Sequence, residues 1–250
     1  MSSTRLAGAR SSEALPRHRF LGAAAGACLL GPVAVLAAEA NANLSATLTR
    51  ETRDALTPDE IIQGLKDGNK RFVSGSLTQR NYLTQQRATA AAQYPAAVIL
   101  GCIDSRVPAE MVFDVGIGDM FVGRVAGNVV NDDLLGSMEF GCAVSGAKAV
   151  VVLGHTACGA IKGAIDDVVM GNLTGLLARI KPAISKTKFD GEKSSKNAGY
   201  VDAVARTNVK LVVDDIERKS PILEGLDKKG SIEIIGAMYD LATGKVDFID

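Results

Sequence analysis

Val98-Ile99-Leu100-Gly101-Cys102-Ile103-Asp104-Ser105-Arg106 begins as an apolar run and closes on a cysteine, an aspartate and an arginine at alternate positions. Ala149-Val150-Val151-Val152-Leu153-Gly154-His155-Thr156-Ala157-Cys158 repeats the arrangement, with an imidazole and a second thiol at its end. Both apolar runs are short, rich in β-branched residues and free of polar alternation, the pattern of parallel strands covered on both faces by helices. In open α/β sheets ligands gather beyond the carboxyl ends of the strands. Cys102, His155 and Cys158 are therefore expected over one edge of a sheet, as a three-ligand metal site.

Around these runs strand and helix alternate, the signature of βαβ units with right-handed crossovers. Thr57 is placed to cap a helix beginning at Pro58, with Glu60 as its capping-box partner and Gly75 beyond its end. A second helix is expected over 79–93. These two helices need either their own sheet or a partner subunit to lie on. A short helix over 108–113, a strand over 120–126, a helix over 132–144 and a helix opening at 157 follow. Residues 186–197 read as a polar surface loop and 200–217 as a helix. Two closing strands, 231–239 and 245–249, make a hairpin. The expected fold class is α/β, a mostly parallel central sheet flanked by helices.

Twenty-eight basic and 28 acidic side chains cancel, so nothing in the overall charge asks for nucleic acid. No segment after the first 40 residues is long and apolar enough to span a bilayer. Four cysteines in 250 residues do not make a disulfide framework. Of the two histidines, His18 and His155, only the second lies outside the leader-like segment, which sharpens its claim as a ligand. Residues 1–40 resemble a secretory signal peptide. Arg5, Arg10, Arg17 and Arg19 precede a small, weakly apolar run from Phe20, and Ala38-Glu39-Ala40 offers a cleavage site. Arg17-His18-Arg19-Phe20-Leu21 is similar to a twin-arginine signal with its second arginine replaced. The expected location is the periplasm or another exported compartment; an uncleaved leader would leave the protein cytoplasmic or membrane-anchored. Residues 41–56 read as a linker or arm, and 57–250 as one domain.

Zinc takes thiolate and imidazole ligands tetrahedrally, and catalytic sites leave one corner to water. With two sulfurs and one nitrogen in hand, the fourth corner falls to water, to Asp104 or to a residue not evident from the sequence. Two thiolates neutralise the dication, so a bound water needs further help to ionise near neutral pH. Asp104 held by an Arg106 fork could orient a hydroxide as its acceptor; released, it could close the site. Each motif alone has a plainer reading: Cys102 as a buried thiol, Asp104 and Arg106 as a capping ion pair. Cys142, between Phe140 and Ala143, reads as packed. Gly116-Ile117-Gly118 lacks a preceding strand and a third glycine, which argues against dinucleotide binding.

Cys102-Ile-Asp-Ser-Arg-Val-Pro108, Arg124-Val-Ala-Gly-Asn128 and Gly154-His-Thr-Ala-Cys-Gly159 together resemble the β-class carbonic anhydrases of the bacterial type. The resemblance runs from about Pro58 to Val246. It implies one Zn²⁺ per subunit on Cys102, His155 and Cys158, with Asp104 and Arg106 as a catalytic dyad and zinc-bound hydroxide converting CO₂ to bicarbonate and a proton. It further implies substrate contacts from Gln93 across a subunit interface, from the Gly159 N–H, and from Phe121 and Ala126 around a small apolar pocket. A homodimer or higher homo-oligomer follows, with the N-terminal helices packed on a partner. Val115 stands where many relatives carry Gln, a departure that could lower activity. Hydrolysis of CS₂ or COS, and a non-catalytic zinc module closed by Asp104, are the rival readings.

Overall fold

The computed structural model describes residues 46–249. The leader-like segment, its Ala38-Glu39-Ala40 site and the start of the arm lie outside the described residues. Five strands form one sheet in the order β2-β1-β3-β4-β5: β1 (Ala97–Gly101), β2 (Met120–Arg124), β3 (Ala149–His155), β4 (Glu233–Tyr239) and β5 (Val246–Ile249). The first four run parallel and β5 closes antiparallel on β4. Strand order reverses at β1: the chain steps out to β2, then crosses back to β3 and continues the other way. Such a switch point opens a crevice beyond the carboxyl ends of the two central strands. The register pairs Gly101 with Leu153, so Cys102 and His155 leave β1 and β3 at nearly the same level.

All of β1 and β3 is buried, because alternate side chains feed two separate cores. Val98, Leu100, Val150 and Val152 face a layer that includes Val201, Val204, Val209, Val212 and Ile216. These five belong to the long helix α9 (Ala198–Lys219). Ile99, Val151 and Leu153 face Ile61, Ile62, Leu65, Val112 and Phe113. Ile61, Ile62 and Leu65 lie on α2 (Pro58–Val73), which begins with the reciprocal Thr57–Glu60 capping box. Their burial stabilises the fold by about 1.5–3 kcal/mol each. Ile61, Ile62 and Leu65 therefore find their partner surface in the chain's own sheet, while Val73 at the end of the helix stays exposed.

Several elements differ from the sequence reading. The arm carries a six-residue helix, α1 (Arg50–Ala55), capped by Thr49. It is pinned to the amino edge of the sheet: buried Arg53 donates to the Ser145 carbonyl, and Lys148 donates to the carbonyls of Asp54 and Leu56. The helix expected over 79–93 is only α3 (Tyr82–Thr89). Tyr82 and Leu83 of α3 are exposed, while its buried Gln85 reaches inward to the Ile117 N–H and the Ala46 carbonyl. With Asp119 taking the Gly116 N–H, the first two donors of the Gly116-Ile117-Gly118 turn are spent within the chain. After α4 (Ala109–Val112), the expected 132–144 helix is α5 (Asp132–Glu139) followed by a π turn, Phe140–Val144. That turn buries Cys142, and burial pushes its thiol up to about 12. The next helix, α6, starts two residues later than expected (Gly159–Ile165). Helices α7 (Gly171–Ala178), α8 (Lys181–Lys186) and α10 (Pro221–Asp227) complete the layer on the α9 side. No helix among the described residues is long and apolar enough to cross a membrane.

Asp114, beneath α4, is a buried carboxylate that the sequence reading passed over. Burial alone would raise its pKa, but hydrogen bonds from Arg71, Arg80 and Thr78 reverse the effect and bring it down to about 2. A carboxyl depressed on folding stabilises above its unfolded pKa, and that contribution is lost as pH falls from about 4 toward 2. Asp114→Asn is expected to cost about 2–4 kcal/mol, since it strands two guanidinium groups, one of them partly screened by solvent. Urea unfolding at pH 7 and pH 3 checks this, because the deficit should shrink at the lower pH.

Candidate metal centre

The two central strands deliver their ligands from different backbone settings. Cys102 follows the last residue of β1, His155 ends β3, and Cys158 is the N-cap of α6. Their donor atoms all lie within 4.8 Å of one another, and all three residues are buried. Bonds of 2.0–2.3 Å to a tetrahedral zinc set ligand atoms roughly 3.5 Å apart, so small rotations would seat the ion.

The imidazole is already prepared. His155 Nδ1 lies 2.9 Å from the carbonyl oxygen of Thr156, which can only accept, so the ring proton sits on Nδ1 and the lone pair on Nε2. Nε2 is buried and has no hydrogen-bond partner. Such a group is costly to leave unpaired, and a metal ion is the partner its lone pair fits. The thiols are equally telling. The Cys102 thiol is brought down to about 4, first by the hydrogen bond from Cys158 and then, against burial, by the Gly127 N–H. Cys158 is pushed upward by the same bond, by burial and by the charge on Cys102. Two hydrogen-bonded thiols beside an unpaired imidazole nitrogen are a site that a divalent cation completes by displacing their protons.

Asp104 borders this cluster without entering it. Its Oδ1 accepts from Arg106 N at 3.0 Å and Nε at 2.9 Å, and its Oδ2 accepts from Nη2 at 2.7 Å. This fork outweighs partial burial and holds the carboxyl well below the usual carboxylate range. Oδ2 lies 3.9 Å from His155 Nε2. Arg124 braces the loop from β2, donating to the carbonyls of Cys102 and Asp104.

The opposite wall is the 3₁₀ turn Ala126–Asn128. Gly127 donates to Cys102 Sγ at 3.3 Å, with φ +71° and no room for a Cβ, which would meet Ile180 Cδ1 at 2.7 Å. Buried Asn208 of α9 holds the same glycine by its carbonyl at 2.9 Å. Ala126 adjoins this wall, and Gly159 presents its exposed backbone at the first turn of α6.

Gln93 and Phe121 do not join the cluster within one chain. Gln93 is exposed and precedes the amino end of β1, at the other end of the strand from Cys102. Phe121 pairs with Val98, four residues before Cys102, and packs edge-on against Phe140 with centroids 6.1 Å apart. Both rings line a cavity of about 650 Å³ on the open edge of β2. Val115 packs, half-buried, against the core that contains α2. The sequence reading missed Arg124 as a brace, and missed Asn208 and Asp202 of α9, because their partners are distant in sequence.

The family model described as carbonic anhydrase matches residues 97–246, which includes every residue of the cluster. Carbonic anhydrase 2 of Mycobacterium tuberculosis is 37% identical over 194 residues, covering 75% of this chain and 91% of that protein. The carbonic anhydrase of Mycolicibacterium smegmatis is 38% identical over 197 residues, covering 76% and 92%. The chain belongs to the β-class carbonic anhydrases. It is a carbonic anhydrase by activity as well: a lyase of the reversible hydration of CO₂. Solved β-carbonic anhydrases share the fold. The tetrameric enzymes of Sordaria macrospora give a TM-score of 0.59 at 24% identity, covering 65% of this chain and 84% of theirs. The Coccomyxa enzyme in complex with acetazolamide gives 0.60 at 24% identity, covering 76% and 84%.

Proposed function

We propose that Cys102, His155 and Cys158 hold one zinc ion per chain, and that Asp104 and Arg106 form the dyad that turns this site to CO₂ hydration. The observation that carries the proposal is the convergence of the three donor atoms within 4.8 Å around an unpartnered, buried His155 Nε2. Zinc, when bound, supplies Lewis acidity that makes hydroxide available from water near neutral pH. The chain's own residues do the rest. Asp104, kept ionised by Arg106, accepts a hydrogen bond from the attacking oxygen and so points its lone pair at CO₂. The Gly159 N–H, at the positive end of α6, stabilises the negative charge that develops on the substrate oxygens. Ala126 offers the apolar gas a half-buried wall.

Gln93 and Phe121 act, on this proposal, in the cleft of a neighbouring subunit of a homo-oligomer. The exposure of Gln93 and of the Phe140 ring beside Phe121 supports a shared cleft. Tetramers among structural relatives support it further. Export to the periplasm is proposed on the leader-like composition of residues 1–40.

Stopped-flow CO₂ hydration on zinc-quantified protein tests the proposal. The rate is expected to scale with zinc content, fall to the uncatalysed value on chelation and return when zinc is restored. A hydration rate indifferent to chelation would overturn it.

A further inference from the structure

We propose that Asp202, on α9, is a positioning residue for the metal: it holds the two-residue link Thr156-Ala157 in the strained form that lets His155 and Cys158 converge. The inference rests on the reading that these ligands bind zinc. Four non-glycine residues among the described residues have positive φ: Asp114, Asn128, Ala157 and Asp167. Asp and Asn tolerate the left-handed region because their short polar side chains bond locally. Ala157, at φ +54°, has no such side chain. Strain of this kind persists only where the surroundings over-determine it.

The surroundings here can be named. On the Thr156 side, the N–H donates to the Tyr239 carbonyl at 3.0 Å and Oγ1 accepts from the Leu241 N–H at 3.0 Å. The Thr156 carbonyl receives the His155 ring proton, so this residue also sets the tautomer. On the Ala157 side, the N–H donates to Asp202 Oδ1 at 2.9 Å, from a helix 45 residues further along the chain. A carboxylate is the stronger kind of acceptor for an amide. The left-handed step at Ala157 turns the chain from the end of β3 into the first turn of α6. Without it His155 and Cys158, three positions apart, would not face one point. Asp202 therefore acts on the metal through backbone geometry, touching neither ligand. With Thr156 it borders a cleft of about 610 Å³ that includes Arg206, Asp240 and Lys245.

Zinc affinity of the full chain, measured by competition with a chromophoric chelator, tests the proposal alongside the melting temperatures of the metal-free proteins. Asp202→Ala is expected to weaken zinc about 10–100-fold, the usual effect of losing a group that orients a ligand. Asp202→Asn, which keeps an acceptor oxygen, should retain most of the affinity, and the metal-free melting temperatures should change little. In the Ala157→Gly background the strain is gone, because glycine adopts positive φ without steric cost. There, loss of the Asp202 carboxylate should cost less than about tenfold, and this arm decides the matter even if Asp202→Ala alone does not fold. Wild-type affinity in Asp202→Ala, or a loss as large in the Ala157→Gly background as in the native one, overturns the assignment. A wild-type chain that binds no zinc removes instead the reading of the site on which it rests.

Discussion

Cys158→Ala is expected to yield a folded chain that no longer retains zinc through dialysis and hydrates CO₂ at the uncatalysed rate. The side chains are close in volume and Cys158 sits at a helix N-cap without a side-chain capping bond, so the substitution removes a ligand while disturbing little else. Protein zinc sites of four ligands bind with about 10–16 kcal/mol, roughly 2.5–4 kcal/mol per ligand. Losing one of three protein donors should therefore weaken zinc by about 10²–10³-fold or more. The remaining pair, Cys102 and His155, would leave two corners to solvent, and the fixed relation between the metal and Asp104 would go with them. Metal analysis after dialysis, with stopped-flow hydration at a zinc concentration that saturates the wild type, measures both effects. The melting temperature offers a second readout. Zinc should raise it for the wild type, because a ligand bound only to the folded state stabilises that state, and should leave the variant unmoved. Full zinc occupancy with wild-type turnover in Cys158→Ala would remove Cys158 from the ligand set.

The parts of this site that could be read from sequence are those encoded within one strand and the turn that follows it. Val98 to Leu100 and Val150 to Leu153 are apolar at successive positions because each strand feeds two cores, and that pattern needs no tertiary knowledge. The Thr57–Glu60 box is likewise a local agreement between side chains three positions apart. Legibility fails where the deciding partner is distant. Helices α1, α7, α8 and α10 span only six to eight residues, too few for periodicity to separate them from loops. The register pairing Phe121 with Val98 is a property of the sheet, so nothing in the local sequence places the ring far from Cys102. Arg53, Gln85, Asp202 and Asn208 look like ordinary polar residues until the backbone groups they satisfy are brought to them by folding. Sequence disclosed the atoms that face the substrate more readily than those that hold them still.

Asp104→Asn is expected to keep zinc and lose about 10²–10⁴-fold in kcat/KM, the range that a positioned proton-handling group contributes. The amide occupies the same space, yet it cannot serve as a charged acceptor on both oxygens, and one of its ends would turn a donor toward the Arg106 fork. That loss alone would not separate a role in orientation from one in charge balance; Arg106→Ala does. In the structure the fork takes both carboxylate oxygens while Oδ2 stands 3.9 Å from His155 Nε2, a side-chain rotation away from the candidate fourth corner. Without the guanidinium only the backbone N–H of residue 106 opposes that rotation, and the carboxylate should compete with hydroxide for the corner. Competition with hydroxide weakens as hydroxide becomes abundant, so Arg106→Ala should be nearly inactive at neutral pH and recover as pH rises. The double variant Asp104→Ala/Arg106→Ala has no carboxylate to compete, and its low activity should lack that steep alkaline recovery. Parallel pH–rate profiles of the three variants decide between the roles: an Arg106→Ala profile that merely runs below the wild type at every pH would leave Arg106 a source of local positive charge and deny it the part of holding Asp104 away from the metal.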